Sequence, residues 1–200
     1  GEGLADIPLE RVLNNPNDTI RQEYLNVGYN LEHRFSDNWR LRNQIRYYSS
    51  DYEYSVFPLL LSLDESTGIF NRLFGSQASE TDTNALHTNV QGEFNTGPEE
   101  HTLLFGVDLA RAEDMNVSRA SFNNPALLTP INIFNPDYSA VPTPNLEDIP
   151  VLFGNDATTN QLGVYLQDQI DILDNLILVA GLRYDNVDRE STNIVTNAET

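Results

Sequence analysis

The 200-residue chain has no cysteine, one methionine and one tryptophan. Without cysteine there is no disulfide framework and no thiolate metal site. Basic residues are scarce: 11 stand against 30 Asp and Glu, a formal net charge of −19. That balance excludes nucleic acid as a partner, because phosphate recognition needs a basic stripe. Long apolar runs are missing too. Pro58–Leu63 and Leu176–Leu182 fall far short of the roughly 20 consecutive apolar residues of a membrane-spanning helix. No initiator Met, basic n-region or apolar h-region opens the sequence, and Ile194–Thr200 run out in polar residues, so we expect an interior piece of a longer protein. Disorder would suit so acidic a chain, but 40% hydrophobic and 10% aromatic content argues for packing.

What is present is alternation. Leu25, Val27, Tyr29, Leu31, His33 and Phe35 interleave with Asn26, Gly28, Asn30, Glu32 and Arg34. A period of two places one set on each face of a β-strand. After Ser36-Asp37-Asn38, Trp39, Leu41, Ile45 and Tyr47 face one way and Arg40, Arg42, Gln44, Arg46 and Tyr48 the other. Leu86, Thr88, Val90 and Phe94 repeat the pattern before a turn at Asn95–Glu100, broken by Gly97-Pro98. Leu103, Phe105, Val107 and Leu109 return, with Leu104 interrupting the polar face. A third pair joins Leu162, Val164 and Leu166 to Leu176, Leu178, Ala180, Leu182 and Tyr184 through Leu173-Asp174-Asn175.

These are six strands in three hairpins, each closed by a short turn. The links between hairpins read as long: Ser55 to Ser79, and Asn116 to Thr158 with much of the proline. A soluble β-sandwich keeps turn signals at roughly 8–12-residue spacing. Strict alternation of short and long connections instead suits an outer-membrane barrel, with tight periplasmic turns and long extracellular loops. An apolar band about 25 Å tall, crossed at about 40°, takes roughly ten residues at ~3.3 Å each, the reach of these stripes. Phe35, Trp39, Phe94 and Tyr184 sit near stripe ends, where interfacial girdles place aromatic rings. The expected fold is therefore all-β, an antiparallel transmembrane β-barrel fragment of about six to eight strands. The sandwich stays open as the competing reading.

At this point a family resemblance enters. Gln161-Leu-Gly-Val-Tyr-Leu-Gln-Asp-Gln-Ile170 followed by Val179-Ala-Gly-Leu-Arg-Tyr-Asp185 resembles a hairpin of TonB-dependent siderophore receptors. So do His101-Thr-Leu-Leu-Phe-Gly-Val-Asp108, Leu31-Glu-His-Arg-Phe-Ser-Asp-Asn-Trp39 and Ile133-Phe-Asn-Pro-Asp-Tyr138, in that family's order and from about Ile7 onward. The resemblance implies a 22-stranded barrel of ferrichrome-receptor type. Residues 1–200 would be part of the barrel domain, with the plug domain, the TonB-contacting segment and the barrel's C-terminus lying elsewhere. It also implies a Gram-negative outer-membrane location, a ferric siderophore as ligand, energy supplied by a TonB complex, and outer-membrane lipid around the wall. No cofactor is implied, since iron arrives inside its chelator.

No catalytic constellation is apparent, and a non-enzyme is expected. His33 and His101 lie beside turns and His87 on a polar face, none spaced as in H-E-x-x-H. Asp64-Glu65, Glu99-Glu100 and Glu113-Asp114 read as solvated loop or turn carboxylates rather than an acid–base pair. The candidate ligand-binding residues are Tyr48, Tyr52 and Tyr54, which share the phase of Arg40, Arg42 and Arg46. If the strand stays regular to Tyr54, these rings line the outer mouth of the lumen, offering large contact area with a polar tip. Their other reading is packing beneath a loop or in the girdle. The arginine stripe either attracts an anionic ferric catecholate or pairs with acids of the plug; net acidity leans toward a neutral or hydroxamate-type ligand. A passive porin of the same architecture is the alternative function.

Overall fold

A computed structural model describes residues 7–15, 18–122, 128–139 and 143–199. Six long strands, β1 (Ile20–Arg34), β2 (Trp39–Asp64), β3 (Ile69–Thr96), β4 (Glu99–Ala120), β6 (Val151–Leu173) and β7 (Leu176–Asn193), and a two-residue β5 (Ile131–Asn132) form one antiparallel sheet. The order is β1-β2-β3-β4-β6-β7, with β5 beside β3. Neighbours in the sheet are neighbours in sequence, as in an up-and-down barrel wall. The described residues contain this single sheet, so the sandwich reading falls: the leucines and valines have no second sheet to meet.

Cross-strand register carries the alternation from strand to strand. Leu31, Asn43, Thr88, Val107, Val164 and Tyr184 form one row, and His33, Leu41, Val90, Phe105, Leu166 and Leu182 the next on the same face. These side chains are not buried by protein: Leu31 is 50%, Phe105 46% and Leu182 78% exposed. So much contiguous apolar surface marks contact with lipid.

The apolar band does not follow the rows. On β1 the stripe Leu25–Phe35 is centred on Asn30, whose row ends at Asp185 on β7; the β7 stripe Leu176–Tyr184 is centred on Ala180. The band therefore slips five residues in five strand-to-strand steps. One residue of about 3.3 Å along the strand for about 4.8 Å across it is a tilt of about 35°. Strands of outer-membrane barrels tilt by roughly that amount. The sequence pattern and the pairing thus define one membrane plane.

The tight turns behave as expected. Gly97 takes a left-handed conformation (φ 71°) that admits the two-residue β3–β4 turn. Beside the turns, the Trp39 ring lies over Gly92, where any Cβ would overlap it. Across the wall, Tyr165 covers Gly106 in the same way. Aromatic rings thus fill the gaps glycine leaves on both faces.

The long links are different from expectation. Most of Ser55–Ser79 is strand: β2 and β3 run on together to a four-residue turn at Glu65–Gly68. The link Asn116–Thr158 likewise loses its ends to β4 and β6; its residues 123–127 and 140–142 lie outside those described. Pro58, seemingly a loop signal, sits within β2 opposite Phe74. It is tolerated because β1 pairs only as far as Tyr54, which leaves β2 an edge strand from there on. Register shifts at Tyr54/Phe57 and Leu60/Ser62 break that edge further. The Glu113-Asp114 pair is also in mid-strand, its carboxylates on opposite faces, bonded to Arg111 and Thr81.

If the outward face meets hydrocarbon, Val107→Arg destabilises the intact barrel by about 2–4 kcal/mol, whereas Gln167→Arg on the other face costs under about 1. Urea unfolding of the full-length protein in lipid vesicles measures both; equal costs would contradict the assigned sidedness.

Candidate functional site

The inward face is a polar wall whose arginines find partners within the sheet. Each arginine of the β2 stripe meets a partner one strand away. The Arg42 Nε donates to Glu32 Oε2 at 2.9 Å, Arg40 donates to Gln91 Oε1 at 2.7 Å, and Arg46 donates to Asn26 Oδ1 at 3.0 Å. On the β4–β7 side, Asp108 accepts from Arg183 at 2.8 Å and meets His87 Nδ1 at 3.0 Å. Arg183 also donates to Asp185 at 2.8 Å and sits 5.4 Å from the Tyr165 ring centre. Ion pairs this exposed stabilise little. Together with the neutral amides that meet Arg40 and Arg46, they hold long side chains against the wall, and those two guanidiniums keep their positive charge. His87 is in this network, whereas His101 lies on the lipid-facing side, between Asp168 at 2.8 Å and a stacked Phe94. Among the described residues no group of three or more His, Asp or Glu is placed to hold a metal.

Beyond the membrane the wall thickens into a packed body, and here the protein has its buried core. Leu73, Phe74, Ile131, Ile133 and Ile149 are at most 5% exposed, together with Arg72, Ser121 and Thr129. The β2–β3 extension supplies one side and residues 120–122, 128–139 and 143–149 the other. Phe74 and Ser121 exchange hydrogen bonds of 3.0–3.1 Å. Arg72 ties in a third segment: its guanidinium donates to Thr129 O at 2.8 Å, to Thr129 Oγ1 at 3.0 Å, and to Leu13 O. Arg11 donates to Ile133 O and Phe134 O, and Tyr138 donates to Val12 O at 2.7 Å. The segment before β1 is thus fastened to a loop more than a hundred residues away.

The three candidate tyrosines lie on this boundary. β2 stays regular through Tyr54, so Tyr48, Tyr52 and Tyr54 keep the phase of the arginine stripe and are half-buried. Tyr54 closes a cavity of about 700 Å³, lined also by Arg11, Asn14, Asp18 and Tyr138. Its hydroxyl accepts from Asn14 Nδ2 at 3.1 Å, and its ring stacks on Phe57 at 3.7 Å. Burial, and then the nearby Asp18 charge, raise the Tyr54 hydroxyl above its ordinary pKa. Burial also raises Asp18, partly offset by the Asn15 N–H and by Arg72. Tyr48 and Tyr52 pair across the sheet with Asn26 and Gln22, below that cavity. Sequence reasoning passed over Arg72, although a lone cation in Ile69-Phe-Asn-Arg-Leu-Phe74 was a readable signal for a buried tie.

A wall with lipid outside, a polar channel face inside and a folded extracellular rim is the form of a receptor barrel. The family model for the TonB-dependent receptor-like β-barrel matches residues 4–200. The chain belongs to the TonB-dependent receptor family. Members are β-barrel proteins of the Gram-negative outer membrane, receptors and transporters by class, and this chain is outer-membrane wall. It is 30% identical over 162 residues to the ferrioxamine B receptor of Salmonella typhimurium, covering 80% of the chain and 21% of the relative. It is 28% identical to the ferrichrome outer membrane transporter/phage receptor of Escherichia coli, covering 90% of the chain and 26% of the relative. The chain thus spans about a quarter or less of those relatives' length. In fold it is similar to the pyoverdine receptor FpvA of Pseudomonas aeruginosa, with TM-score 0.69, 21% identity, and coverage of 91% and 26%. The ferric-catecholate import receptor Fiu of Escherichia coli is similar as well, with TM-score 0.66, 20% identity, and coverage of 90% and 25%.

In the full-length receptor, Arg72→Met leaves the acceptors on Leu13 and Thr129 without their donor, at about 1–3 kcal/mol for the buried groups. Hydrogen exchange in 8–15 and 128–134 is expected to accelerate roughly 10- to 100-fold, with β6 and β7 unchanged; unaltered exchange would show that Arg72 is no tie. Asp18→Asn tests the electrostatic side. A raised carboxyl pKa means that ionised Asp18 opposes the fold at neutral pH and that stability returns as pH falls through the raised value. The variant is expected to exchange no faster than wild type at neutral pH and to lose that acid-side gain.

Proposed function

We propose that this chain is the wall and part of the extracellular rim of a receptor that imports a ferric siderophore across the outer membrane, energised through TonB. The observation that carries the reading is the combination of a polar, hydrogen-bonded lumen face with a folded rim, in a chain whose relatives are named for ferrioxamine B and ferrichrome. A freely diffusing solute needs only an open polar channel. A captured chelate needs a shaped mouth, and the wall supports one with a dedicated buried core. On this reading β1 and β7, which each leave one edge unpaired in the sheet, are joined by further strands to close a 22-stranded barrel. A plug domain and a TonB-contacting segment belong to other parts of the same protein. The chain performs no chemistry, and iron passes as a chelate without a protein-held cofactor.

Within this reading Tyr48, Tyr52 and Tyr54 face the incoming chelate, Tyr54 from the cavity rim and the other two from the wall below. The β2 arginines are held by neighbouring strands, Arg42 by the Glu32 carboxylate and Arg40 and Arg46 by the neutral amides of Gln91 and Asn26. The net charge of −19 favours a ligand without strong net negative charge.

The test is uptake of ⁵⁵Fe supplied as ferrioxamine B or ferrichrome by cells expressing the full-length receptor, with and without TonB. Uptake should require both the receptor and TonB; TonB-independent uptake would favour a passive porin. In the same receptor, the triple change of Tyr48, Tyr52 and Tyr54 to Ala is expected to weaken ferric-siderophore binding at least about tenfold, or 1.4 kcal/mol. Unchanged affinity would remove the tyrosines from the site while leaving the transport reading in place.

A further inference from the structure

The outward face carries a second concavity, unrelated to the channel. It is a groove of about 480 Å³ crossing from β2 to β7 at the outer limit of the apolar band. One bank is apolar over four strands, Ile45, Leu86, Leu109 and Leu162 standing in a single cross-strand row that ends on β7 at the amide of Asn186. The other bank is the next outward row, Asn84, Arg111, Asn160 and Asp188. The floor is strand backbone at Ala85, Ala110 and Gln161, whose side chains point to the other face. The apolar bank is open, Leu109 being 42% and Leu162 36% exposed.

We propose that this groove seats a lipid of the outer leaflet with an uncharged, sugar-type headgroup, its hydroxyls on the polar bank and its acyl chains along the apolar one. The apolar bank is continuous with the lipid-facing band, so the occupant comes from the membrane. The polar bank decides the headgroup. It holds two amides, one guanidinium and one carboxylate, groups that both donate and accept and so suit hydroxyls. Its single cation is taken: Arg111 donates to Glu113 at 2.6 Å and 2.9 Å and to Asn160 at 3.4 Å. Beyond the groove the same face carries Glu23, Asp51, Glu80, Asp82, Glu113 and Glu190 against Arg21, itself bonded to Glu23 at 2.6 Å. Among the described residues the other arginines of this face that reach the surface are engaged, Arg21 by Glu23 and Arg119 by the Ile149 carbonyl at 3.0 Å, so a phosphorylated headgroup would stand among carboxylates. Hydroxyl groups find acceptors throughout.

The test uses the full-length receptor in a polyoxyethylene detergent and native mass spectrometry with three probes. These are a glucosyl diacylglycerol, a phosphatidylglycerol with the same chains, and bisphosphorylated lipid A. The glucosyl lipid should be retained at roughly tenfold lower concentration than either phosphorylated probe. The double change Asn84→Leu with Asn160→Leu should abolish that preference, a loss of about tenfold for two uncharged hydrogen bonds. Thr192→Leu, outward but outside the groove, should keep it. Heat-modifiable electrophoretic mobility reports that each barrel is folded, and the gentler Asn84→Gln with Asn160→Gln pair, expected to retain most of the preference, serves if the leucine variant is not. Equal retention of all three probes, or tighter binding of lipid A, overturns the proposal, as does a folded leucine variant with undiminished preference.

Discussion

Every feature of this chain depends on one requirement: backbone N–H and C=O groups within hydrocarbon have no water to pair with. Each must be met by a neighbouring strand. That forces long ladders, and these run from the tight turns at Phe35–Asn38, Gly97-Pro98 and Asp174-Asn175 across the apolar band. One register shift lies beside a turn at Asp171/Leu173 and the others, at Tyr54/Phe57, Leu60/Ser62 and Ser118/Arg119, lie beyond the band. Once the backbone is fixed as a flat ladder, side chains can only point out or in. The period of two, the tilt of about 35° and the separation of an apolar outside from a polar inside all follow from that. The same requirement explains why β2 admits Pro58 and register shifts only beyond Tyr54, where it no longer crosses lipid.

The membrane part of the fold was legible in sequence for this reason. Lipid on one side and channel on the other impose opposite polarity on successive residues, and Leu25–Phe35 shows it, with His33 beside the turn the one ionisable residue other than Tyr29 on the outward face. The extracellular part was not, because the constraint ends with the hydrocarbon. In β3, Ser76-Gln-Ala-Ser-Glu-Thr-Asp-Thr83 has water within reach of both faces and carries no alternation, although its hydrogen bonding is as regular as that of Leu86–Phe94. In β2, Val56-Phe-Pro-Leu-Leu-Leu61 is apolar on both faces because it borders a packed body, and it reads as a loop with a proline. Strand geometry persists there while the pattern that reveals it disappears.

The arginines show the same division. Arg40, Arg42 and Arg46 were visible as a stripe from their spacing, but their partners could not be read without register. Glu32, Gln91 and Asn26 lie 10, 51 and 20 residues away along the chain and one strand away in space. A guanidinium that reads as available for a ligand or a plug is thereby hydrogen-bonded within the wall, although of the three only Arg42 meets a carboxylate. Arg72 is the reverse case. It has no stripe to belong to, yet it is 2% exposed and bonded to two distant segments.

That contrast bears on how the mouth works. A receptor rim made of independent loops would lose entropy each time a ligand ordered it, weakening capture. Here residues 7–15, the β2–β3 extension and residues 128–139 are already ordered against one another. Arg72, Arg11 and Tyr138 reach backbone carbonyls, which are present whatever side chain occupies the position. Such a frame tolerates sequence change in the surfaces it presents while keeping their geometry. The cavity at Tyr54 is therefore framed by ties of two kinds: Arg11 and Tyr138 belong to its lining, whereas Arg72 fastens the rim from outside it. Glu10 and Asn14, which make none of these ties, can thus be tuned to a ligand without loosening the rim.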